Sequence, residues 1–191
     1  MYKAAFIDRD GVINDDVGYV YHCDDFVFLP GVVAALQATQ SLGYKLVVIT
    51  NQAGIGRGFY SEDDYRILTD HMKEILRVEG INLDGVYHCP HHPEHGIGRY
   101  KKECDCRKPR PGMILRARDD LNIDLASSVL FGDKLSDIEA GHAAGIGFNI
   151  LIRSEYVISE SVTSRPDHVC DSLFDGVRFL SEKGFNRNTN H

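Results

Sequence analysis

Asp8 and Asp10 stand one residue apart in Phe6-Ile7-Asp8-Arg9-Asp10-Gly11-Val12-Ile13, at the end of an apolar run. A carboxylate pair at this spacing has two uses. It can bind Mg²⁺, a hard cation that takes oxygen ligands. It can also divide a group transfer, with one carboxylate attacking phosphorus and the other moving a proton. Acidic pairs are common in loops, so this one gains meaning from its company. Thr50, in Ile49-Thr50-Asn51-Gln52-Ala53-Gly54, offers a hydroxyl and nearby backbone N–H groups to phosphoryl oxygens, where a lone Thr would simply end a strand. Lys108, in Cys106-Arg107-Lys108-Pro109, can neutralise charge on a transferring group, although most lysines are solvated surface residues. Gly132-Asp133-Lys134-Leu135-Ser136-Asp137 adds two carboxylates: Asp133 to complete a metal site, and Asp137 to bind metal or orient a neighbour.

A second constellation lies between them. Cys89-Pro90-His91-His92-Pro93 is followed by Cys104-Asp105-Cys106. Three thiolates and an imidazole make a closed, structural zinc site. Cys89, His91, Cys104 and Cys106 are the expected ligands, with His92 and His95 as alternatives to His91. The intervening segment is too polar to build a core, so a metal would supply its order. The bland alternative is free thiols in a flexible loop. Cys106 is two residues from Lys108, so the zinc would act as scaffold and place Arg107 and Lys108. Cys23 and Cys170 stand alone and read as small hydrophobes.

These residues need elements to position them. The pattern predicts strands over 3–8, 44–50, 85–88, 128–133 and 146–152, and helices over 30–42, 61–79, 111–121, 136–144 and 171–183, with an irregular stretch over 89–108. In the second helix Tyr65, Leu68, Met72, Ile75 and Leu76 recur at helical spacing and read as core. Apolar strands alternating with helices make an α/β fold with a mainly parallel sheet covered on both faces. Ligands on such sheets sit beyond the carboxyl ends of the strands. Asp8, Thr50 and Asp133 each close a strand.

The chain has 191 residues, which suits a single domain over 1–185 with a zinc loop at 89–106, and residues 186–191 read as a disordered tail. No large insert separates Gly11 from Tyr44 or Gly54 from Cys89, so no separate cap domain is expected and the site should be open. A net charge of −7 without a basic stripe argues against nucleic acid as partner. No apolar run approaches the ~20 residues that cross a bilayer. The first strand begins at once, leaving no room for a signal peptide. The expectation is a cytoplasmic protein with no membrane partner, and a monomer by default.

Taken in order, the Asp8/Asp10, Thr50, Lys108 and Asp133/Asp137 segments resemble the four motifs of the haloacid dehalogenase-like phosphatases. The resemblance implies a Rossmann-like three-layer sandwich and a two-step mechanism. Asp8 would attack phosphorus and form an aspartyl-phosphate. Asp10 would protonate the leaving oxygen and then activate water. Mg²⁺ would be held by Asp8, the carbonyl of Asp10 and Asp133, and the phosphoryl oxygens by Thr50 and Lys108. Such transfers need positioning and charge neutralisation more than elaborate covalent chemistry.

The chain further resembles the D-glycero-D-manno-heptose 1,7-bisphosphate 7-phosphatases. The resemblance is carried by Asp8–Asn14, Gly18-Tyr19-Val20, Thr50-Asn51-Gln52, the two cysteine segments and Pro111-Gly112-Met113. It implies hydrolysis of the C7 phosphate of a heptose bisphosphate, for lipopolysaccharide or another surface polysaccharide. Substrate contacts would come from Asp16, Val17, Gly18, Tyr19, Thr50, Asn51, Gln52, Ala53, Arg107 and Lys108. Arg107 and Arg110 are candidates to grip a second phosphate. Two positions depart from the family pattern: Val12 where Thr is frequent, and Arg110 where His or Lys is. Histidinol-phosphate phosphatases share the motifs and the zinc loop, but their cationic substrate would favour acidic contacts such as Asp15 or Asp16. The 3′-phosphatase domain of polynucleotide kinase shares the look of Thr50–Gly58, yet the acidic charge disfavours a nucleic-acid substrate. A non-catalytic, zinc-stabilised binding module would keep the fold without the chemistry.

Overall fold

A computed structural model describes residues 1–154 and 165–183. Six strands form one sheet: β1 (Ala4–Ile7), β2 (Lys45–Asn51), β3 (Gly85–Cys89), β4 (Val129–Gly132), β5 (Phe148–Ile152) and β6 (His168–Cys170). Their order is β3-β2-β1-β4-β5-β6, and every pairing is parallel. The helices are α1 (Val32–Ser41), α2 (Ala53–Arg57), α3 (Glu62–Val78), α4 (Gly112–Leu121), α5 (Leu135–Ala144) and α6 (Leu173–Lys183).

Side chains alternate across a strand, so each one feeds two cores. Ala5 and Ile7 join Leu36 of α1, Leu68, Met72 and Leu76 of α3, and Val177 and Leu180 of α6. Ala4 and Phe6 face the other way, onto Met113, Ile114 and Ala117 of α4 and Ile138 and Ala140 of α5. Burial on both faces is why the strands read as continuous apolar runs. This is the three-layer α/β sandwich expected, and among the described residues no inserted domain covers the carboxyl edge of the sheet.

Local signals explain several boundaries. Ser61 caps α3: its hydroxyl accepts from the Asp64 N–H (3.1 Å), and Asp64 accepts in return from the Ser61 N–H (2.8 Å). Of the expected core face of α3, Tyr65, Leu68, Met72 and Leu76 are buried and Ile75 is half-buried. Helix α1 begins two residues later than expected, because Gly31 adopts a left-handed conformation before it (φ 79°). Two elements were not anticipated. Helix α2 carries two glycines in five residues, which hides its helical character, and β6 is too short for a pattern to register. The 186–191 tail lies outside the described residues. No helix among those described is long and apolar enough to cross a membrane.

Candidate active site

Strands β1 and β4 are neighbours at the middle of the sheet, and the chain leaves them toward opposite edges. That reversal opens a crevice at the carboxyl ends of the strands, where ligands of such sheets bind. Asp8 follows β1 directly, and its N–H donates to the Phe131 carbonyl (3.0 Å). Asp133 follows β4. Between Asp8 and Val12 the chain folds over Asp133 so closely that a Cβ on Gly11 would lie 2.6 Å from Asp133 Oδ2, and Gly11 has φ 88°. Only glycine meets both conditions.

Lys108 arrives from the long excursion between β3 and α4. Its ammonium lies 2.9 Å from Asp8 Oδ1 and 2.6 Å from Asp137 Oδ1, and it donates to the Ile49 carbonyl at 2.9 Å. Lysine and both carboxylates are buried. Burial alone would push the lysine down, but Asp137 and Asp8 outweigh it and hold the ammonium above its ordinary range. A side chain of Asn51 fixes the approach: its Oδ1 accepts from the Lys108 N–H and its Nδ2 donates to the Lys108 carbonyl, both at 3.1 Å.

Asp8, Asp133 and Asp137 bring carboxylate oxygens within 4.8 Å of one another. Lys108 and Lys134, the latter 3.7 Å from Asp133, do not neutralise three such groups. Burial pushes the Asp8 carboxyl up to about 7; Lys108 pulls it back, while Asp137 and Asp133 add to the rise. Burial likewise pushes Asp133 up to about 6. The Oδ1 atom of Asp133 is buried without a hydrogen-bond partner. Clustered oxygen donors, excess negative charge and an orphaned oxygen fit a hard divalent cation.

Asp10 is arranged differently. Its Oδ1 accepts from Arg9 Nε (3.0 Å), Arg9 Nη2 (2.8 Å) and Asn14 Nδ2 (3.1 Å), and its Oδ2 accepts from Gln52 Nε2 (2.8 Å). Gln52 is itself oriented by Tyr60, whose hydroxyl donates to Gln52 Oε1, and it donates to Thr50 Oγ1 at 2.8 Å. Arg9 is almost fully buried and also donates to the Val20 carbonyl (3.0 Å). The Asp10 carboxylate is thus held in a cradle anchored by Arg9. Arg9 and Tyr60 were missed in the sequence. A charged residue amid an apolar strand end was the available signal for Arg9; Tyr60 had none.

Beside Asp10 opens a cavity of about 330 Å³, lined by Asp10, Asp16, Gly18, Tyr19, Asn51, Gln52, Ala53, Tyr60 and Lys134. Most of the expected substrate contacts converge there. Val17 does not line it and is exposed. Lys134 was not anticipated; it reaches Asp16 (3.3 Å) and Asp133 (3.7 Å). Arg107 stands apart, donating to the His91 carbonyl (3.3 Å). Arg110, a candidate phosphate grip, turns instead to Glu103 (2.7 Å) and Asp105 (3.5 Å) on the surface, which neutralise its charge. A larger cavity of about 750 Å³ adjoins Gly11 and Asp133 and shares Asp16 with the first, but Asp10 does not line it.

Cys89, His91, Cys104 and Cys106 form a compact cluster. The sulfur pairs are 3.2–3.5 Å apart, and His91 Nδ1 lies 3.6 Å from Cys89 and 3.4 Å from Cys106. Four donors so gathered suit one tetrahedral ion, whose ligand–ligand edges would be about 3.8 Å for Zn–S bonds of ~2.3 Å. Burial pushes the Cys89 thiol up, so its thiolate would form only with a bound cation to offset the charge. His92 and His95 point elsewhere: the backbone N–H groups of Glu94 and His95 donate to His92 Nδ1.

Comparison with known proteins points the same way. A HAD-hydrolase-like family model matches residues 105–176. A D-glycero-beta-D-manno-heptose-1,7-bisphosphate 7-phosphatase of Vibrio cholerae is 52% identical over 177 residues, covering 93% of this chain and 95% of the relative. A D-glycero-alpha-D-manno-heptose-1,7-bisphosphate 7-phosphatase of Burkholderia mallei is 58% identical over 150 residues, covering 78% and 79%. Among solved structures, a D,D-heptose 1,7-bisphosphate phosphatase of B. bronchiseptica, complexed with magnesium and phosphate, superposes with a TM-score of 0.79 at 29% identity, covering 95% of this chain and 99% of that one.

Proposed function

The chain belongs to the D-glycero-D-manno-heptose 1,7-bisphosphate 7-phosphatase family of HAD-like phosphoric monoester hydrolases, and we propose that it removes the C7 phosphate of a heptose 1,7-bisphosphate. The observation that carries this reading is the buried Asp8–Lys108–Asp137 bridge beside Asp133, with Asp8 two residues from Asp10, which lines a cavity with Asp16, Gly18, Tyr19, Asn51, Gln52 and Ala53.

In the proposed reaction a carboxylate oxygen of Asp8 attacks phosphorus as the bond from phosphorus to the sugar oxygen breaks. Asp10 delivers the proton to that leaving oxygen. Asp10 then takes a proton from water, whose oxygen attacks the aspartyl-phosphate and restores the Asp8 carboxylate with release of inorganic phosphate. Both oxygens of Asp10 are engaged in its cradle. Proton transfer therefore requires its side chain to rotate away from Arg9 and Gln52. Thr50 and Lys108 hold phosphoryl oxygens, and Asp137 keeps the lysine aimed. Mg²⁺, when bound by Asp8, Asp133 and the Asp10 carbonyl, offsets the repulsion between the anionic nucleophile and the phosphate. Zinc on the four-donor cluster is structural. The catalytic unit spans 1–185, acts as a monomer in the cytoplasm, and supplies a heptose 1-phosphate for nucleotide activation toward a surface polysaccharide.

The Mg²⁺ assignment makes a test of stability. Asp8 and Asp133 titrate at about 7 and about 6 in the folded chain, above the ordinary 3.8. A carboxyl with a raised folded pKa weakens the native state as pH climbs from its unfolded to its folded value. Without a cation, stability is therefore lost between about 4 and about 7. Mg²⁺ binds the ionised form and restores it. The gain in Tm on adding Mg²⁺ is expected to be larger at neutral pH than near pH 5. An equal gain at both, or none, counts against the site.

Substrate choice is tested by comparing kcat/KM for heptose 1,7-bisphosphate and histidinol phosphate. Asp16 would be the acidic contact for an amine, but Lys134 already occupies it at 3.3 Å. The bisphosphate is expected to be preferred by on the order of 10²-fold or more. Comparable values would overturn the assignment.

A further inference from the structure

Tyr60 is buried, three residues beyond α2, with its hydroxyl turned into the active site. Its ring stacks on Tyr21, with centroids 5.1 Å apart and planes 7° from parallel. A Cβ on Gly54 would collide with that ring, so α2 carries a glycine there to admit it. Packing thus fixes the ring, and the hydroxyl donates to one acceptor, Gln52 Oε1.

Gln52 is buried and uses its whole amide. A side-chain amide has two donor hydrogens and two acceptor lone pairs. Its Oε1 accepts from the Tyr60 hydroxyl and from Arg9 Nη2 (3.3 Å). Its Nε2 donates to Asp10 Oδ2 and to Thr50 Oγ1, both at 2.8 Å. An arginine only donates and a carboxylate only accepts, so the amide cannot turn over.

Thr50 Oγ1 therefore receives a hydrogen from Gln52 and keeps its own. Among the described residues no atom accepts the Thr50 O–H, although the side chain is buried. A hydroxyl filled on one side is aimed. Its hydrogen turns away from Gln52, toward an oxygen that arrives with the substrate. When Asp10 rotates to transfer its proton, Gln52 loses one of its four partners. Tyr60, locked by its stack on Tyr21, keeps the amide from following.

We propose that Tyr60 is a positioning residue for phosphoryl transfer: through Gln52 it aims the Thr50 hydroxyl at a phosphoryl oxygen and keeps it aimed while Asp10 turns. The proposal rests on the reading that Thr50 holds the transferring group. Linked hydrogen bonds polarise one another, so the chain from Tyr60 through Gln52 makes Thr50 a stronger donor than a lone threonine. Tyr60 also lines the 330 Å³ cavity. A hydroxyl that merely touched the sugar would matter for sugar substrates alone. One that aims Thr50 matters for every ester, because all present the same phosphoryl group.

The test uses Tyr60→Phe, Thr50→Val and the double variant of the full-length, Mg²⁺-saturated protein, with heptose 1,7-bisphosphate and para-nitrophenyl phosphate as substrates. Phenylalanine keeps the stack and removes one oxygen. Tyr60→Phe is expected to lower kcat by about 5–20-fold on both substrates. KM should change by less than about 2-fold, as for an interaction that strengthens in the transition state. Thr50→Val should cost about 10²-fold or more. Adding Tyr60→Phe to it should cost less than about 2-fold further, because the hydroxyl being aimed is gone. Gln52→Met breaks the chain at its middle and must show the same non-additivity with Thr50→Val, which decides the matter should Tyr60→Phe melt below the wild type. A fall confined to heptose 1,7-bisphosphate, an effect on KM alone, or equal losses with and without the Thr50 hydroxyl overturns the proposal. Near-native kcat in Thr50→Val removes Thr50 from the phosphoryl site and the proposal with it. A wild type active on para-nitrophenyl phosphate but not on heptose 1,7-bisphosphate sinks the substrate reading alone, and the chain is then judged on the aryl ester by the same outcomes.

Discussion

Asp8→Asn is expected to lower Mg²⁺-dependent phosphate release by at least about 10⁴-fold while leaving the protein folded. The amide keeps the shape of the side chain and removes the attacking oxygen anion. Stability should not suffer. Burial disfavours the charged form of Asp8, and Lys108 keeps a second carboxylate, Asp137, at 2.6 Å. A neutral group in this crowded acidic cluster relieves repulsion with Asp133 and Asp137, so the metal-free variant is expected to melt no lower than the wild type. Phosphate release and a thermal melt measured on the same preparation check both halves. Near-native turnover would remove Asp8 from the role of nucleophile, and a collapsed melt would make it a structural residue instead.

Removal of zinc is expected to have the second largest effect. Purified protein should contain about one equivalent of metal, as one closed four-ligand site requires, and Cys104→Ser should lose it. Zinc-binding free energy becomes folding free energy for a segment with no core of its own. Residues 90–107 bury little beyond the cluster, so their amide hydrogens should exchange fast in the variant while those of β1, β2 and β4 stay protected. Activity should fall by about 10²-fold or more, because displacement of a phosphate-binding group by an ångström has that cost. Lys108, which reaches Asp8 at 2.9 Å, follows Cys106 by two residues, so loss of the loop's order is expected to loosen its position. A zinc-free protein with an ordered loop and unchanged kcat would refute the scaffold role.

Much of this molecule was legible in its residues, and the reasons are physical. A strand buried on both faces must be apolar, so β1, β2, β4 and β5 stood out, and the polar residue closing each was conspicuous. Asp8, Thr50 and Asp133 are such residues. Cysteines in tight pairs amid polar sequence have few uses in a reducing compartment, which singled out the four donors now found within 3.2–3.6 Å in most of their pairings. Short elements were less visible. Helix α2 is glycine-rich because it approaches Tyr60 and Pro90 closely, and those contacts do not exist in the sequence.

The alternation of strand and helix, the identity of the carboxylates, lysine and threonine that could move a phosphoryl group, and the ligand set for a metal follow from the order of residues alone. Those depend on side-chain chemistry and on periodicities of a few residues. The tertiary structure alone decided which charges meet. It placed Lys108 between Asp8 and Asp137, enclosed Asp10 in the cradle of Arg9, Asn14 and Gln52, turned Arg110 out to Glu103, and left Arg57 and Arg107 without carboxylate partners among the described residues. Electrostatic partnership falls off with distance through space and depends on burial. Residues 8 and 108 become neighbours only when a parallel sheet brings the ends of its strands to one edge.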